Sequence, residues 1–312
     1  MNPIKIADLE MEAAQCISIS PSYLAKIISG GMYGEKHLEG MLLSMAHMTS
    51  QTGREVSAVV YSKMSRRDES KKTKRSLNFL DFRIVPSLGN FHSVPDPAFY
   101  NSALYQDFIH DGKGKDISSP SLVLPLVHVH THPSTNSFPS KEDLLNAGVK
   151  YQEEIDFGTF GKVRTANPTL NIIIGTSGYP GNPSPNAHEF TFYQLNGYMS
   201  LLDSFVRDYD DHHAKSRKDT TLKSSFGDKT PLTKDFMEKL KAAGVCKYLH
   251  FPASDSRDGD SRSLFVKDEF RGATIPQKNL AKIGSHFAYE IKFRREPLYS
   301  QYYSAPRVEM RM

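Results

Sequence analysis

The sequence predicts an α/β protein with a mixed sheet flanked by helices over residues 10–197, followed by a C-terminal α+β appendage over residues 198–312. Three observations carry this expectation. Short β-branched runs alternate with segments of helical apolar spacing through the first part of the chain. No run approaches the roughly 18 consecutive apolar residues of a membrane span. Beyond residue 197 the texture changes to polar stretches with fewer regular segments. A chain of 312 residues is long enough for one large domain or two ordinary ones, each burying a core.

Taken in order, QCISIS alternates and stops at the turn-prone Ser20-Pro21, which predicts a strand. SYLAKII predicts a short helix ending at Gly30-Gly31. Leu38, Met41, Leu42, Met45 and Met48 recur at helical spacing and give out in the polar TSQTG, so a helix with one buried face is expected there. EVSAVVYSK, opening at Glu55, is β-branched and too short for a helix between such flanks, and it reads as a core strand. The charged MSRRDESKKTKRS shows no period, LDFRIVPS reads as a strand, and residues 90–116 read as a Pro-containing entry to a helix that closes in a Gly-rich turn. SLVLPLVHVHTH is an apolar strand whose far end is rich in histidine. PSTNSFP is a loop, SKEDLLNAGVKYQ a helix with Ser140 at its cap, and TLNIIIGT and HEFTFYQLNG are two more strands. In the appendage, YMSLLDSFVRDY and TKDFMEKLKAAG read as helices and VCKYLHF and YEIKFRRE as strands.

Composition excludes little but sets the compartment. The net charge of +4 is too slight to argue for nucleic acid or a membrane surface as partner. Cys16 and Cys246 lie far apart and form neither a disulfide framework nor a CxxC pair, which points to a reducing compartment. The N-terminal residues are acidic where a signal peptide needs a cationic start and an apolar stretch, so a soluble, cytoplasmic protein is expected.

Chemistry concentrates at the histidine-rich strand end. His130 and His132 are two apart on a strand, so both imidazoles leave the same face and can converge on one ion. Zinc in catalytic sites takes three protein ligands and leaves the fourth position open. Asp143 supplies the third if the loop over residues 133–139 brings the next helix back over the strand end, and Ser140 then sits beside it. The same Ser-x-x-Asp is also a helix capping arrangement, with Ser140 as the cap.

HTHPSTNSFPSKED, residues 130–143, resembles the JAMM signature of the MPN-domain zinc metalloproteases: His-x-His-Pro, six residues, then Ser-x-x-Asp, with every fixed position filled. The resemblance covers roughly residues 10–197 and implies the MPN fold, one zinc held by His130, His132 and Asp143, and Ser140 stabilising the tetrahedral intermediate. It also implies a glutamate general acid/base on an earlier strand. EVSAVVYS is similar to the family's E-x-x-G-L-L-x-G, with Ala58 and Ser62 in place of the glycines, and it nominates Glu55; Glu39, in LEGMLLS, is the runner-up within the amphipathic helix. The implied activity is hydrolysis of an amide bond in a ubiquitin-like conjugate or a peptide by metal-activated water.

Other groups read more blandly. His128 points the same way as the ligand pair but has no serine and aspartate at the family spacing, so it reads as a packed strand residue. His212 and His213 are adjacent and point apart, and DSRDGD, residues 255–260, lacks the glycine and glutamate of a calcium loop. The basic run from Arg66 to Arg75 has no interleaved aromatics and reads as an exposed insertion. Two other functions compete with the enzyme: a non-catalytic MPN scaffold, against which the full ligand set stands, and a RadC-like nucleic-acid-associated protein, for which only the basic run speaks.

Overall fold

The computed structural model describes residues 15–29, 38–66, 77–89, 121–156, 162–166, 169–176, 187–196, 202, 204–205, 231–254, 262–268 and 272–295. The helix expected over residues 90–116, the basic run from residue 67 onward, His212, His213 and the acidic turn at 255–260 lie outside them, as does most of the helix expected at 198–209.

Among the described residues a six-stranded mixed sheet runs in the order β3-β2-β4-β7-β8-β9. Its strands are β2 (Val56–Arg66), β3 (Leu77–Leu88), β4 (Ser121–His132), β7 (Leu170–Gly175), β8 (Glu189–Leu195) and β9 (Cys246–Phe251). The β4–β7 pair is parallel and the other neighbours antiparallel. A second, four-stranded sheet joins β1 (Gln15–Ile19), β12 (Tyr289–Arg295), β6 (Lys162–Ala166) and β5 (Gln152–Asp156), and β10 (Val266–Asp268) pairs with β11 (Gly272–Thr274).

Side-chain alternation divides the large sheet into two buried faces. On one face Val56, Ala58, Val60, Val127, Val129, Ile172, Ile174, Phe190 and Phe192 pack with α1 (Pro21–Ser29), α2 (Leu38–Thr52) and α5 (Gln277–His286). On the other, Ile173, Tyr193 and Leu195 pack with Leu144 of α3 (Lys141–Tyr151) and with Phe236, Met237 and Leu240 of α4 (Lys234–Ala242). Burial on both faces explains why β7 reads as a largely apolar run, LNIII, in which Asn171 is the one polar residue.

One expectation is corrected in detail. The buried stripe of α2 is Leu38, Leu42, Met45, Ala46, Thr49 and Ser50, which follows i+4 steps (38, 42, 46, 50 and 45, 49), whereas Met48 lies at the edge of that stripe and is 44 % exposed. The segment expected as an appendage supplies β9 to the large sheet, β12 to the small one, and α4 and α5 to the two cores. Four strands, β5, β6, β10 and β11, and helix α5 lie where the sequence carries no expectation. Among the described residues no helix is long and apolar enough to cross a membrane.

Candidate metal centre

The face of the sheet that carries α3 and α4 also carries the histidines. Val127 and Val129 face α1, α2 and α5, so His128, His130 and His132 leave the opposite side. Two rows of residues cross the strands there. One holds Ser57, His130, Ile173, Thr191 and His250 in successive register. The other holds His132, Gly175 and Glu189, and continuing the β2–β4 register by two residues sets Glu55 opposite His132.

Thr131 points the other way and fixes the strand end. Its hydroxyl lies 2.6 Å from that of Thr49 on α2 and accepts the N–H of Val56 at 2.9 Å, which ties the histidine end of β4 to the residue after Glu55.

The loop that returns α3 to this end is held at several points. His132 Nδ1 lies 3.1 Å from the Asn136 carbonyl, and Asn136 Oδ1 accepts the Phe138 N–H at 2.8 Å. The Ser137 and Thr191 hydroxyls are 2.7 Å apart, and the Leu232 N–H donates to the Pro139 carbonyl at 2.8 Å. Gly175 makes the fit possible, since a Cβ there would stand 2.6 Å from the Thr135 carbonyl oxygen and 2.8 Å from the Ser137 nitrogen.

At the head of α3 the capping and the ligand readings of Asp143 coexist. Its N–H donates to Ser140 Oγ at 3.1 Å, while Oδ2 accepts the Ser140 N–H and O–H, each at 2.8 Å, a reciprocal capping box. The same carboxylate reaches the histidines, with Oδ1 3.3 Å from His130 Nε2 and Oδ2 3.5 Å from His132 Nε2. The two Nε2 atoms are 3.1 Å apart.

That triangle can hold a metal ion. A tetrahedral ion with ligands at 2.0–2.1 Å sets neighbouring donor atoms about 3.3–3.4 Å apart; the histidine nitrogens are 3.1 Å apart, and each has one of the two Asp143 oxygens at 3.3 or 3.5 Å. Protonation agrees. The Asn136 carbonyl can only accept, so the neutral His132 ring carries its proton on Nδ1 and turns the bare lone pair of Nε2 toward the other two donor atoms. Burial depresses the His132 pKa, but Asp143 first, then Glu55 and the Asn136 carbonyl, outweigh it and the net shift is upward. Burial raises the Asp143 carboxyl, but His130 and then His132 pull it well below its ordinary range.

No protein-family model, curated protein or solved structure matches this chain. The site therefore stands on its own geometry.

Of the residues nominated from sequence, His130, His132, Asp143 and Ser140 meet at one point, and Glu55 lies half-buried, near enough for its charge to act on His132. Glu39 is engaged elsewhere, its carboxylate accepting the N–H of Ile275 between β11 and α5. His128 packs beside His130 with ring centroids 5.6 Å apart and stands outside the ligand triangle. The sequence reading passed over Gly175 and Glu189. A glycine closing a strand pattern does signal close backbone approach, but Glu189 carries no local signal, because its relation to His132 exists only across two strand pairings. Burial pushes its carboxyl up in pKa, opposed by the nearby Ser137 backbone.

Proposed function

We propose that this protein is a zinc-dependent hydrolase of the JAMM type, with an MPN-like core, that cleaves an amide bond in a ubiquitin-like conjugate or a peptide. The observation that carries the reading is the closure of His130 Nε2, His132 Nε2 and an Asp143 carboxylate oxygen pair into a triangle with edges of 3.1, 3.3 and 3.5 Å. Two imidazoles and one carboxylate are a donor set that suits zinc, and three protein ligands leave a position open. Bound zinc would supply a Lewis acid and lower the pKa of a coordinated water to about 7.

The chain's own groups provide the rest. Glu55, whose charge acts on His132, would serve as the general base that takes a proton from the attacking water and as the acid that returns it to the departing amine nitrogen. His132 is held in the ligating tautomer by the Asn136 carbonyl. Ser140 orients Asp143 through its N–H and O–H; turning its hydroxyl toward a developing oxyanion leaves the N–H to hold Oδ2. Cys246 is buried and its thiol is pushed up to about 12, so it offers no thiolate for a covalent route.

The test is stoichiometric and then kinetic. Protein purified without added metal should carry about one zinc per chain, His130→Ala and Asp143→Asn should lose it, and chelation should abolish hydrolysis of an isopeptide-linked conjugate until zinc is returned. Hydrolysis that survives chelation, or zinc retained by Asp143→Asn at a cost of only about 1 kcal/mol in stability, leaves Asp143 as a cap alone and overturns the reading.

A further inference from the structure

Three consecutive residues of the returning loop are each tied to a different strand of the large sheet. The Asn136 carbonyl meets His132 Nδ1 at 3.1 Å, at the end of β4. The Ser137 hydroxyl lies 2.7 Å from that of Thr191 on β8. The Phe138 ring stacks on the imidazole of His250 on β9, with centroids 4.7 Å apart and planes inclined by 24°. Thr191 and His250 are themselves joined, Oγ1 to Nδ1 at 3.0 Å, so Ser137, Thr191, His250 and Phe138 close a ring of contacts between the loop and the sheet. A threonine hydroxyl donates once and can accept as well, so its bonds to Ser137 and to His250 are compatible and strengthen each other. Burial first, then the charge of Lys234, push the His250 pKa down to about 4, which leaves an uncharged ring against Phe138 at neutral pH. His250 shares a row with His130, but three strand spacings, about 14 Å, separate their backbones, so it reaches the ligands only through the loop.

We propose that His250 is a positioning residue for the metal centre, holding residues 136–138 so that the Asn136 carbonyl stays on His132 Nδ1. This inference rests on the metal reading above and deepens it. Metal-bound histidines commonly donate their second N–H to a carboxylate or a carbonyl, which fixes the tautomer and raises the basicity of the ligating nitrogen. A loop carbonyl can do this only while the loop keeps its place. Asn136 Oδ1 accepts the Phe138 N–H at 2.8 Å, so the turn that presents the carbonyl is continuous with the residue stacked on His250. The hydroxyl chain anchors Ser137 and the ring stack anchors Phe138, and His250 is the residue common to both.

The test compares zinc affinity, measured by competition with a chromophoric chelator, with the Nδ1–H proton resonance of His132 in zinc-loaded protein. His250→Leu removes both anchors and should weaken zinc binding by about 10-fold, the lower end for such outer partners, and move the resonance upfield. His250→Phe keeps a ring for Phe138 but loses the bond to Thr191, and should fall between His250→Leu and wild type in both readouts. Leu249→Ala is the control: its side chain lies on the same strand but packs into the core on the opposite face. It should lower the melting temperature with zinc affinity within about three-fold of wild type and the resonance unmoved. If wild type binds one zinc and Asp143→Asn none, while both His250 variants bind within about three-fold of wild type with an unmoved resonance, the positioning role is overturned and the metal reading stands. Equal losses in His250→Phe and Leu249→Ala would likewise overturn it, as the effect of a weakened strand. If wild type binds no zinc, both fall together.

Discussion

Glu55 and Glu39 each precede an apolar run, and their surroundings give them different tasks. Glu39 accepts the main-chain N–H of the buried Ile275 and so joins the first turn of α2 to the connection between β11 and α5. Removing it orphans a buried donor, so Glu39→Ala should cost on the order of 1–3 kcal/mol in thermal or denaturant unfolding and leave the turnover of zinc-loaded protein within a few-fold. Glu55 sits one strand from His132 and acts on it electrostatically. Glu55→Gln should keep zinc, fold and substrate binding, because the amide is nearly isosteric, while turnover falls by about 10²–10⁴. An inactive Glu39→Ala together with an active Glu55→Gln would move the general base onto α2.

Among the elements, the loop from residue 133 to residue 139 decides whether strand β4 and helix α3 make a site or only a fold. It is seated on the bare backbone of Gly175, so Gly175→Ala forces either the loop or the end of β7 to shift. Overpacking of this kind costs about 1–3 kcal/mol, and the shift acts on the Asn136 carbonyl and the approach of Asp143 together. Gly175→Ala should melt earlier in the metal-free state and bind zinc at least about 10-fold more weakly. A variant equal to wild type in both would show that the loop does not rest where these contacts put it. The spacing from His130 to Asp143 was legible in the sequence because ligands and cap lie within fourteen consecutive residues, His130 through Asp143, where local periodicity governs who faces whom. β4 and α3 were legible for the same reason. By contrast, β5 and β6 mix charged and apolar residues in short runs, and β6 pairs with β12, a partner distant in sequence, so nothing local announces either strand. Helix α5 was hidden likewise, its buried face amounting to Asn279, Leu280, Ile283 and Gly284.

For the molecule as a whole, the question is whether residues 198–312 are an attachment or part of the folding unit. Strand β9 covers the edge of β8 over six residue pairs, from Phe190↔Phe251 to Leu195↔Cys246. Helix α4 places Phe236, Met237 and Leu240 in the core on the metal-site face, and α5 places Leu280 and Ile283 in the core on the opposite face, where Phe287 stacks near Phe192 with centroids 6.5 Å apart. The segment also reaches the metal centre, since Pro231 bridges to Ser140 and Leu232 donates to the Pro139 carbonyl, clamping the cap that presents Asp143. Removing these elements would uncover both faces of the large sheet and an unpaired edge strand, a combination that favours association over folding. A fragment ending at residue 197 should therefore be insoluble or lack a cooperative unfolding transition, and it should fail to retain zinc even with His130, His132 and Asp143 intact. Co-expression with residues 198–312 as a separate chain should restore a soluble, zinc-binding pair, because the contacts that complete the sheet and its cores need no covalent link. A fragment that melts cooperatively alone and holds one zinc would mark the C-terminal region as an accessory whose strand merely leans on a finished sheet.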